Sequence, residues 1–283
     1  MTTVSSYVPQ GVIPATLLAF NEDFSINESE SRRHLRHVSE VPGLSAITVN
    51  GHASEVHACT SSEQDAVLDL ALDEVGNRLP IINGVYTDSS LEAARIAKMA
   101  DRAGASALLC FPSQAMGMGC VQSRPDMARV HFETIAAATD LPLIVFHYGN
   151  ELAYGTETLV SLAETIPSIK AVKDWSSPQV HETNIRTLQS LSRPVNVLTT
   201  NSAWLHASLT MGASGLLSGA GSVIADLQVA LFEAVQKDEV LKAKKIAERM
   251  WPITNALYAS PFGDMHNRMK EALVILGRQD RAI

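Results

Sequence analysis

The sequence contains few cysteines, and they lack the pairing that a disulfide framework or a C-x-x-C centre requires. The three cysteines are Cys59, Cys110 and Cys120. An odd number of cysteines in this arrangement is typical of a reducing compartment. The N-terminal stretch MTTVSSYVPQ has neither a basic segment nor an apolar segment, which disfavours a signal peptide. We therefore expect a cytoplasmic protein.

Long apolar runs and an excess of positive charge are also missing. The longest apolar runs are far shorter than a membrane-spanning helix requires, so we expect no membrane partner. The formal net charge is −8 and the isoelectric point is about 5.6, whereas nucleic-acid-binding proteins present a basic face. We therefore expect a small-molecule partner and no nucleic acid.

Eight short apolar segments are present instead, and each is typical of a buried β-strand. Helical patterns separate them, and this alternation predicts parallel βαβ units. No dinucleotide fingerprint G-x-G-x-x-G follows the first segment, which disfavours an open doubly wound sheet. The predicted strands are Val12–Leu18, Ser45–Val49, Pro80–Val85, Ala107–Phe111, Pro142–Tyr148, Ile169–Asp174, Val195–Thr199 and Gly215–Ser218.

Helix boundaries are marked between the predicted strands. The stretch TSSE, Thr60–Glu63, has the capping-box pattern, a similar pattern begins at Ser89, and Gly104 is a natural helix end. Eight βα units predict an α/β protein with a closed (β/α)8 or TIM barrel. We expect residues 1–224 to form this barrel. Residues 225–283 are expected to add the last barrel helix and a C-terminal helical extension, all within one structural unit.

Lys173 stands at the end of the sixth predicted strand, IKAVKD, among apolar residues. Side chains alternate along a strand, so an inward Lys173 shares its side with Ala171 and Trp175, while Val172 and Asp174 face the helices. Desolvation would then lower the pKa of Lys173 and make it a nucleophilic amine. The alternative is an outward lysine paired with a surface carboxylate, and strand periodicity alone leaves both open.

The whole chain resembles the dihydrodipicolinate synthase / N-acetylneuraminate lyase family, of which it would be a divergent member. Proteins of this family are class I lyases that form a Schiff base. The segments that carry the resemblance are GVIPATLLAFNEDFSIN, ITVNGHASEVHACTSSEQ, LPIINGVYTDSSLEAARIAKMADRAGASALLCFP, IPSIKAVKDWS, MGASGLLSGAGS and MKEALVILG. The resemblance implies that Lys173 forms an imine with pyruvate or another 2-keto acid, without a metal or a cofactor. It also implies a homotetramer.

The loop after the second strand departs from the family pattern. Gly51 and Glu55 match the G-x-x-G-E motif, but His52 and Ala53 replace its two hydroxyl residues and Ser54 stands at its second glycine. Backbone N–H groups in such a turn can hold a carboxylate without side chains. We therefore expect this loop to bind the substrate carboxylate. His52 either adds a donor or lies on the surface.

The family's proton-relay tyrosine is replaced by Phe146, which cannot transfer a proton. Tyr148 lies two residues further on and, by the period of a strand, on the same side as Phe146. We expect Tyr148 to act as the catalytic proton carrier or to line the pocket, with His147 as a second candidate. The expected substrate-binding residues outside the loop are Phe146, His147, Trp175, Ser218 and Gly219.

Two further departures concern the second substrate. The family's synthases carry an arginine after the fifth strand, where this chain has NELAYG, and a tyrosine pair where it has Ser113 and Gln114. Both losses argue against aspartate semialdehyde as a substrate. Three hypotheses remain: a metal-independent class I lyase, aldolase or dehydratase acting on pyruvate or a 2-keto (sugar) acid; a 4-hydroxy-tetrahydrodipicolinate synthase; and a keto-acid-binding barrel without turnover.

Overall fold

A computed structural model describes residues 7–118, 124–281 and 283. Cys120 and the first six residues, on which the predictions of a reducing compartment and of no signal peptide partly rest, lie outside the described residues. Eight parallel strands form one sheet in the order β1-β8-β7-β6-β5-β4-β3-β2. They are β1 (Gly11–Pro14), β2 (Ile47–Val49), β3 (Ile81–Val85), β4 (Ala107–Cys110), β5 (Leu143–His147), β6 (Ile169–Asp174), β7 (Asn196–Thr199) and β8 (Gly215–Ser218).

The sheet closes on itself between its first and second strands. On one edge, β1 pairs with β8, and this pairing starts with Gly11 opposite Gly215. On its other edge, β1 is joined to the β2 region by isolated parallel bridges between Val12 and Leu44 and between Ala15 and Thr48. The contact at Gly215 requires glycine, because a Cβ there would lie 2.2 Å from the Gly11 carbonyl oxygen. The predicted (β/α)8 barrel is thus confirmed, with each predicted strand within a few residues of its observed position.

Helices cover the outside of the barrel. The described residues form ten α-helices, and the two predicted N-terminal caps at Thr60 and Ser89 and the predicted C-cap at Gly104 are confirmed. Thr60 and Glu63 make both capping-box contacts. The helices are α1 (Glu28–Ser39), α2 (Ser61–Val75), α3 (Ser90–Ala103), α4 (Pro125–Ala136), α5 (Thr156–Thr165), α6 (Pro178–Leu188), α7 (Leu205–Thr210), α8 (Gly221–Gln236), α9 (Val240–Leu257) and α10 (Met265–Ile275).

The C-terminal helices return to the open end of the barrel. Residue 224, where the barrel was expected to end, lies within α8 at a kink with φ −128° and ψ 38°. In α10, His266 Nε2 lies 2.8 Å from the carbonyl oxygen of His52, and buried Lys270 lies 2.5 Å from Glu55. Both contacts fix α10 to the loop that follows β2. Within the described ranges, no helix has the length and apolarity needed to cross a bilayer.

Candidate active site

A cavity of about 300 Å³ opens at the carboxyl ends of the strands. This is the end at which (β/α)8 barrels carry their active sites. The cavity is lined by residues of β5 and β6, of the segments after β1, β2, β6, β7 and β8, and of the chain from the end of α9 to the start of α10. The lining residues are Ala15, His52, Ala53, Phe146, Lys173, Trp175, Thr200, Asn201, Ser202, Ala203, Trp204, Gly219, Tyr258, Phe262 and Met265.

Lys173 points into this cavity from β6. Its side chain is 3% exposed, and Nζ lies 3.9 Å from the centroid of the Phe146 ring. Among the residues that the structure describes, none forms an ion pair with Nζ. Burial lowers the pKa of Lys173 to about 7, because a low-dielectric environment disfavours the cation. A large fraction of Lys173 is therefore a neutral, nucleophilic amine at neutral pH.

Asp174 points to the opposite side of β6, into the layer between barrel and helices. Its carboxylate lies 3.0 Å from His181 Nδ1 and accepts a hydrogen bond from the Asn184 amide at 2.9 Å. Burial acts to raise the pKa of Asp174, but the hydrogen bonds from His181 and Asn184 hold it at about 2. The charge of Asp174 is thus satisfied in the helix layer, and it anchors the strand that carries Lys173.

His147 is not brought to the cavity, although the sequence analysis placed it among the substrate-binding residues. It follows Phe146 on β5, and neighbouring side chains on a strand point to opposite faces. The His147 ring lies in the helix layer, where Nδ1 accepts a hydrogen bond from the Tyr154 N–H at 3.1 Å and Nε2 lies 3.8 Å from Asp174. This position gives His147 no contact with a bound substrate.

Tyr148 is buried beside the cavity and does not line it. Its ring stacks on Phe146 with centroids 4.2 Å apart, and its centroid lies 5.7 Å from that of Trp175. Burial raises the pKa of Tyr148 above its usual value. Tyr148 therefore supports the two aromatic walls of the cavity, Phe146 and Trp175, and its role as a proton carrier stays a prediction.

The loop after β2 contributes two residues to the cavity, His52 and Ala53. Ser54 turns away, and its hydroxyl donates to the Thr16 carbonyl at 2.7 Å. Glu55 has a left-handed backbone with φ 54° and pairs with Lys270, while the carbonyl of Gly51 accepts from the Ser54 N–H. Gly51, Ser54 and Glu55 thus shape the turn, and His52 and Ala53 face the cavity.

His52 has a neutral imidazole at neutral pH. Burial, and after it the neighbouring His266 and Lys173, lower the pKa of His52 to about 3. The His52 and His266 rings lie 5.0 Å apart. His52 can therefore offer a neutral donor or acceptor to a ligand, but it supplies no positive charge.

The two predicted residues at the end of β8, Ser218 and Gly219, have different roles. Gly219 lines the cavity, and a Cβ there would lie 3.1 Å from the Cβ of Ala53. Ser218 is buried and bonded to Ser202 at 2.9 Å and to the Gln228 amide at 3.3 Å. Ser218 thus stands behind the cavity wall, in contact with a residue that lines it.

Several lining residues were missed in the sequence analysis. One group, residues 200–203, follows β7 and carries no motif. The other group, Tyr258, Phe262 and Met265, comes from the C-terminal extension. Phe262 stacks on Trp175 with centroids 5.1 Å apart. No local pattern indicates that contact, since it joins residues far apart in the chain.

Fold and site together define a (β/α)8-barrel protein with a desolvated lysine at the mouth of the barrel. The chain belongs to the dihydrodipicolinate synthetase family, whose sequence model matches residues 8–282. An uncharacterised DapA-like lyase of Halobacterium salinarum is 29% identical over 265 residues, which are 89% of this chain and 80% of the relative. A 4-hydroxy-tetrahydrodipicolinate synthase of Methanopyrus kandleri is 26% identical over 254 residues, 88% of this chain and 81% of the relative.

A solved structure shares the fold over nearly its whole length. It is a prophage protein of E. coli K12 that belongs to the dihydrodipicolinic acid synthase family and is in complex with pyruvate. The two chains superimpose with a TM-score of 0.86 at 20% identity, covering 95% of this chain and 89% of that one. The expected family and fold are therefore both confirmed.

Proposed function

We propose that this protein is a class I lyase in which Lys173 forms an imine with C2 of pyruvate or another 2-keto acid. The observation that carries the proposal is the environment of Lys173: buried, without an ion pair among the described residues, and with a pKa lowered to about 7 on a cavity at the mouth of the barrel. A buried lysine is costly to a fold unless it is paired or used. The family membership supports the same conclusion.

The chemistry follows from a neutral amine beside a ketone. Nζ attacks C2 to form a carbinolamine, water leaves, and the resulting protonated imine withdraws electrons from the neighbouring carbon. Either a carbon–carbon bond then breaks to release an aldehyde, or a carbon–oxygen bond breaks to release water. The imine is the electron sink, so we expect the reaction to need no metal or cofactor.

The substrate carboxylate is proposed to bind the loop Gly51–Glu55. The backbone of this loop turns sharply at Glu55, and His52 and Ala53 face the cavity on the side opposite β5 and β6. Backbone N–H groups in such a turn form an anion-binding concavity without a positive side chain. Neutral His52 can add one hydrogen bond.

The remainder of the substrate is proposed to be uncharged. Among the described residues that line the cavity, Lys173 and His52 carry the only basic nitrogens, and His52 is neutral. The walls are aromatic, from Phe146, Trp175, Trp204 and Phe262. Such walls suit the ring face of a sugar or an apolar group better than a second carboxylate.

A 4-hydroxy-tetrahydrodipicolinate synthase is the second candidate, because relatives carry that name. Its second substrate, aspartate semialdehyde, brings a carboxylate and an ammonium group, for which the described lining residues offer no charged partner besides Lys173. A coupled assay with pyruvate and aspartate semialdehyde separates the two candidates. We expect no condensation above the rate without protein.

The imine itself is tested by borohydride reduction with a panel of 2-keto acids, followed by mass spectrometry of tryptic peptides. Wild-type protein should gain the mass of the reduced adduct on Lys173, and Lys173→Ala should gain none. Lys170→Arg is the matched control, since Lys170 lies on the same strand but not on the cavity, and it should trap adduct like the wild type. Absence of adduct with every keto acid would refute the proposal. Adduct without turnover of any substrate would instead support a keto-acid-binding barrel.

A further inference from the structure

A tyrosine from the C-terminal extension lines the cavity. Tyr258, the residue after α9, is a lining residue, and its hydroxyl oxygen lies 3.2 Å from the N–H of Ala220. It also lies 3.3 Å from the Ser202 hydroxyl, which donates to it. The ring stacks on Phe262, with centroids 6.1 Å apart. The Tyr258 side chain is therefore positioned by two hydrogen bonds and one ring contact.

The hydrogen bonds around Tyr258 run in one direction. The Gln228 amide donates to Ser218, Ser218 shares a hydrogen bond with Ser202, and Ser202 donates to Tyr258. Because Ser202 uses its proton toward Tyr258, it accepts from Ser218. The phenol oxygen thus accepts hydrogen bonds from Ser202 and from the Ala220 N–H. The Ser218 hydroxyl also interacts with the phenol, so a substrate group in the cavity would compete with Ser218 for the phenol proton.

We propose that Tyr258 is the catalytic proton carrier of this site, supplying from the C-terminal extension the hydroxyl that Phe146 lacks on β5. This inference rests on the proposed imine chemistry at Lys173. Its ground is the position of Tyr258 among the residues that line the same cavity as Lys173, with two hydrogen-bond donors directed at its phenol oxygen. Tyr148, by contrast, is not a lining residue.

The proton transfers balance as follows. Tyr258 gives its proton to the hydroxyl that leaves the carbinolamine, so water departs, the carbon–nitrogen bond becomes a protonated imine and a phenolate remains. The Ala220 N–H and the Ser202 hydroxyl stabilise that phenolate. It then removes a proton from C3 of the imine, or from the C4 hydroxyl when the C3–C4 bond breaks. The electron pair enters the imine, a neutral enamine forms and the phenol is restored.

Exchange of the C3 protons of pyruvate in D2O tests this step without knowledge of the second substrate. Wild-type protein should incorporate deuterium into the methyl group, followed by NMR, and should trap adduct on Lys173. Tyr258→Phe should still trap adduct at long incubation, with exchange slowed about 100-fold or more, the usual worth of a positioned acid–base group. Tyr154→Phe is the matched control, since Tyr154 is buried in the helix layer beside His147, and it should exchange like the wild type.

The outcomes separate this inference from the proposed function. Adduct in Tyr258→Phe together with wild-type exchange would overturn the role of Tyr258 and leave the imine intact. Neither adduct nor exchange in the wild type, across the panel of keto acids, would overturn both. If Tyr258→Phe does not fold by circular dichroism, Ser202→Ala replaces it. Ser202→Ala keeps the phenol, removes one donor and should slow exchange about 10-fold; unchanged exchange would count against the proposal.

Discussion

At the scale of single residues, the proposed imine chemistry makes Lys173 the group that should set the pH dependence of the first chemical step. Its pKa is lowered to about 7 by burial, and only the neutral amine attacks the ketone. The rate of imine formation should therefore rise with pH up to about 7 and level off above it. Stopped-flow measurement of adduct formation between pH 5.5 and 9 checks this. A rate that still rises tenfold per pH unit above pH 8 would indicate an ordinary, solvated lysine.

The same burial of Lys173 lowers the free energy of unfolding, and the size of this effect depends on pH. The unfolded chain keeps an ordinary lysine pKa, so between about pH 7 and 10.5 it binds a proton that the folded state does not. The penalty for the buried amine is then largest below pH 7 and disappears above the unfolded pKa. Lys173→Met should raise the free energy of unfolding by roughly 2–4 kcal/mol at pH 6 and by much less at pH 10. Urea denaturation at the two pH values measures the difference, and equal gains at both would contradict the assigned cause.

The contrast between neighbours on β5 and β6 shows what the sequence could and could not predict at this scale. Lys173 and Asp174 follow the alternation of a strand, one into the cavity and one into the helix layer, as expected for an inward lysine. The same rule excludes His147 from the cavity once Phe146 faces it. Strand alternation gives the side on which a residue lies, but packing decides whether its side chain lines the cavity. Phe146 lines the cavity as expected, whereas Tyr148, which was also expected there, stacks on Phe146 without lining it.

At the scale of elements, α10 holds the loop after β2 in place. Lys270 is buried, pairs with Glu55 and lies 4.5 Å from the centroid of the Phe20 ring. Removing one partner of a buried ion pair leaves the other uncompensated. Lys270→Met should therefore lower the free energy of unfolding by about 2–3 kcal/mol and raise the KM for the keto acid, while the end point of borohydride trapping is unchanged.

A surface pair on α9 provides the control for that variant. Lys242 and Glu239 form an exposed ion pair, and such pairs contribute little to stability. Lys242→Met should thus change the free energy of unfolding by less than about 0.5 kcal/mol and leave KM unaltered. An equal effect of the two substitutions would show that α10 does not position the loop.

Element boundaries were predictable from local signals, whereas the contribution of the C-terminal extension was not. β6 and β8 have the bounds that their apolar segments predict, and the Thr60 cap begins α2 as expected. The residues that the C-terminal extension brings to the cavity, Tyr258, Phe262 and Met265, belong to no sequence motif. Their placement depends on contacts with loops more than 50 residues away along the chain, such as that between Ser202 and Tyr258.

At the scale of the whole molecule, the resemblance to family members predicts a homotetramer. The described residues include large apolar side chains exposed on α9 and α10, among them Leu241, Trp251 and Ile275. Light scattering coupled to size-exclusion chromatography should give about four times the chain mass of 30.5 kDa. A mass of one chain at micromolar concentration would refute this expectation.

The expectation that the reaction needs no metal is tested on the whole protein. Because the proposed imine at Lys173 would supply the electron sink, incubation with EDTA followed by gel filtration should leave deuterium exchange into pyruvate unchanged. Restoration of a lost activity by a divalent cation would indicate a different mechanism.

The folding of the C-terminal extension over the barrel mouth has a consequence for synthesis. A ribosome finishes all eight strands by Ser218, so a nascent chain already carries every residue needed to close the sheet. The cavity is incomplete at that stage, because Tyr258, Phe262 and Met265 have not yet been added to the chain. The pocket that surrounds Lys173 is thus complete only after the C-terminal extension has been synthesised.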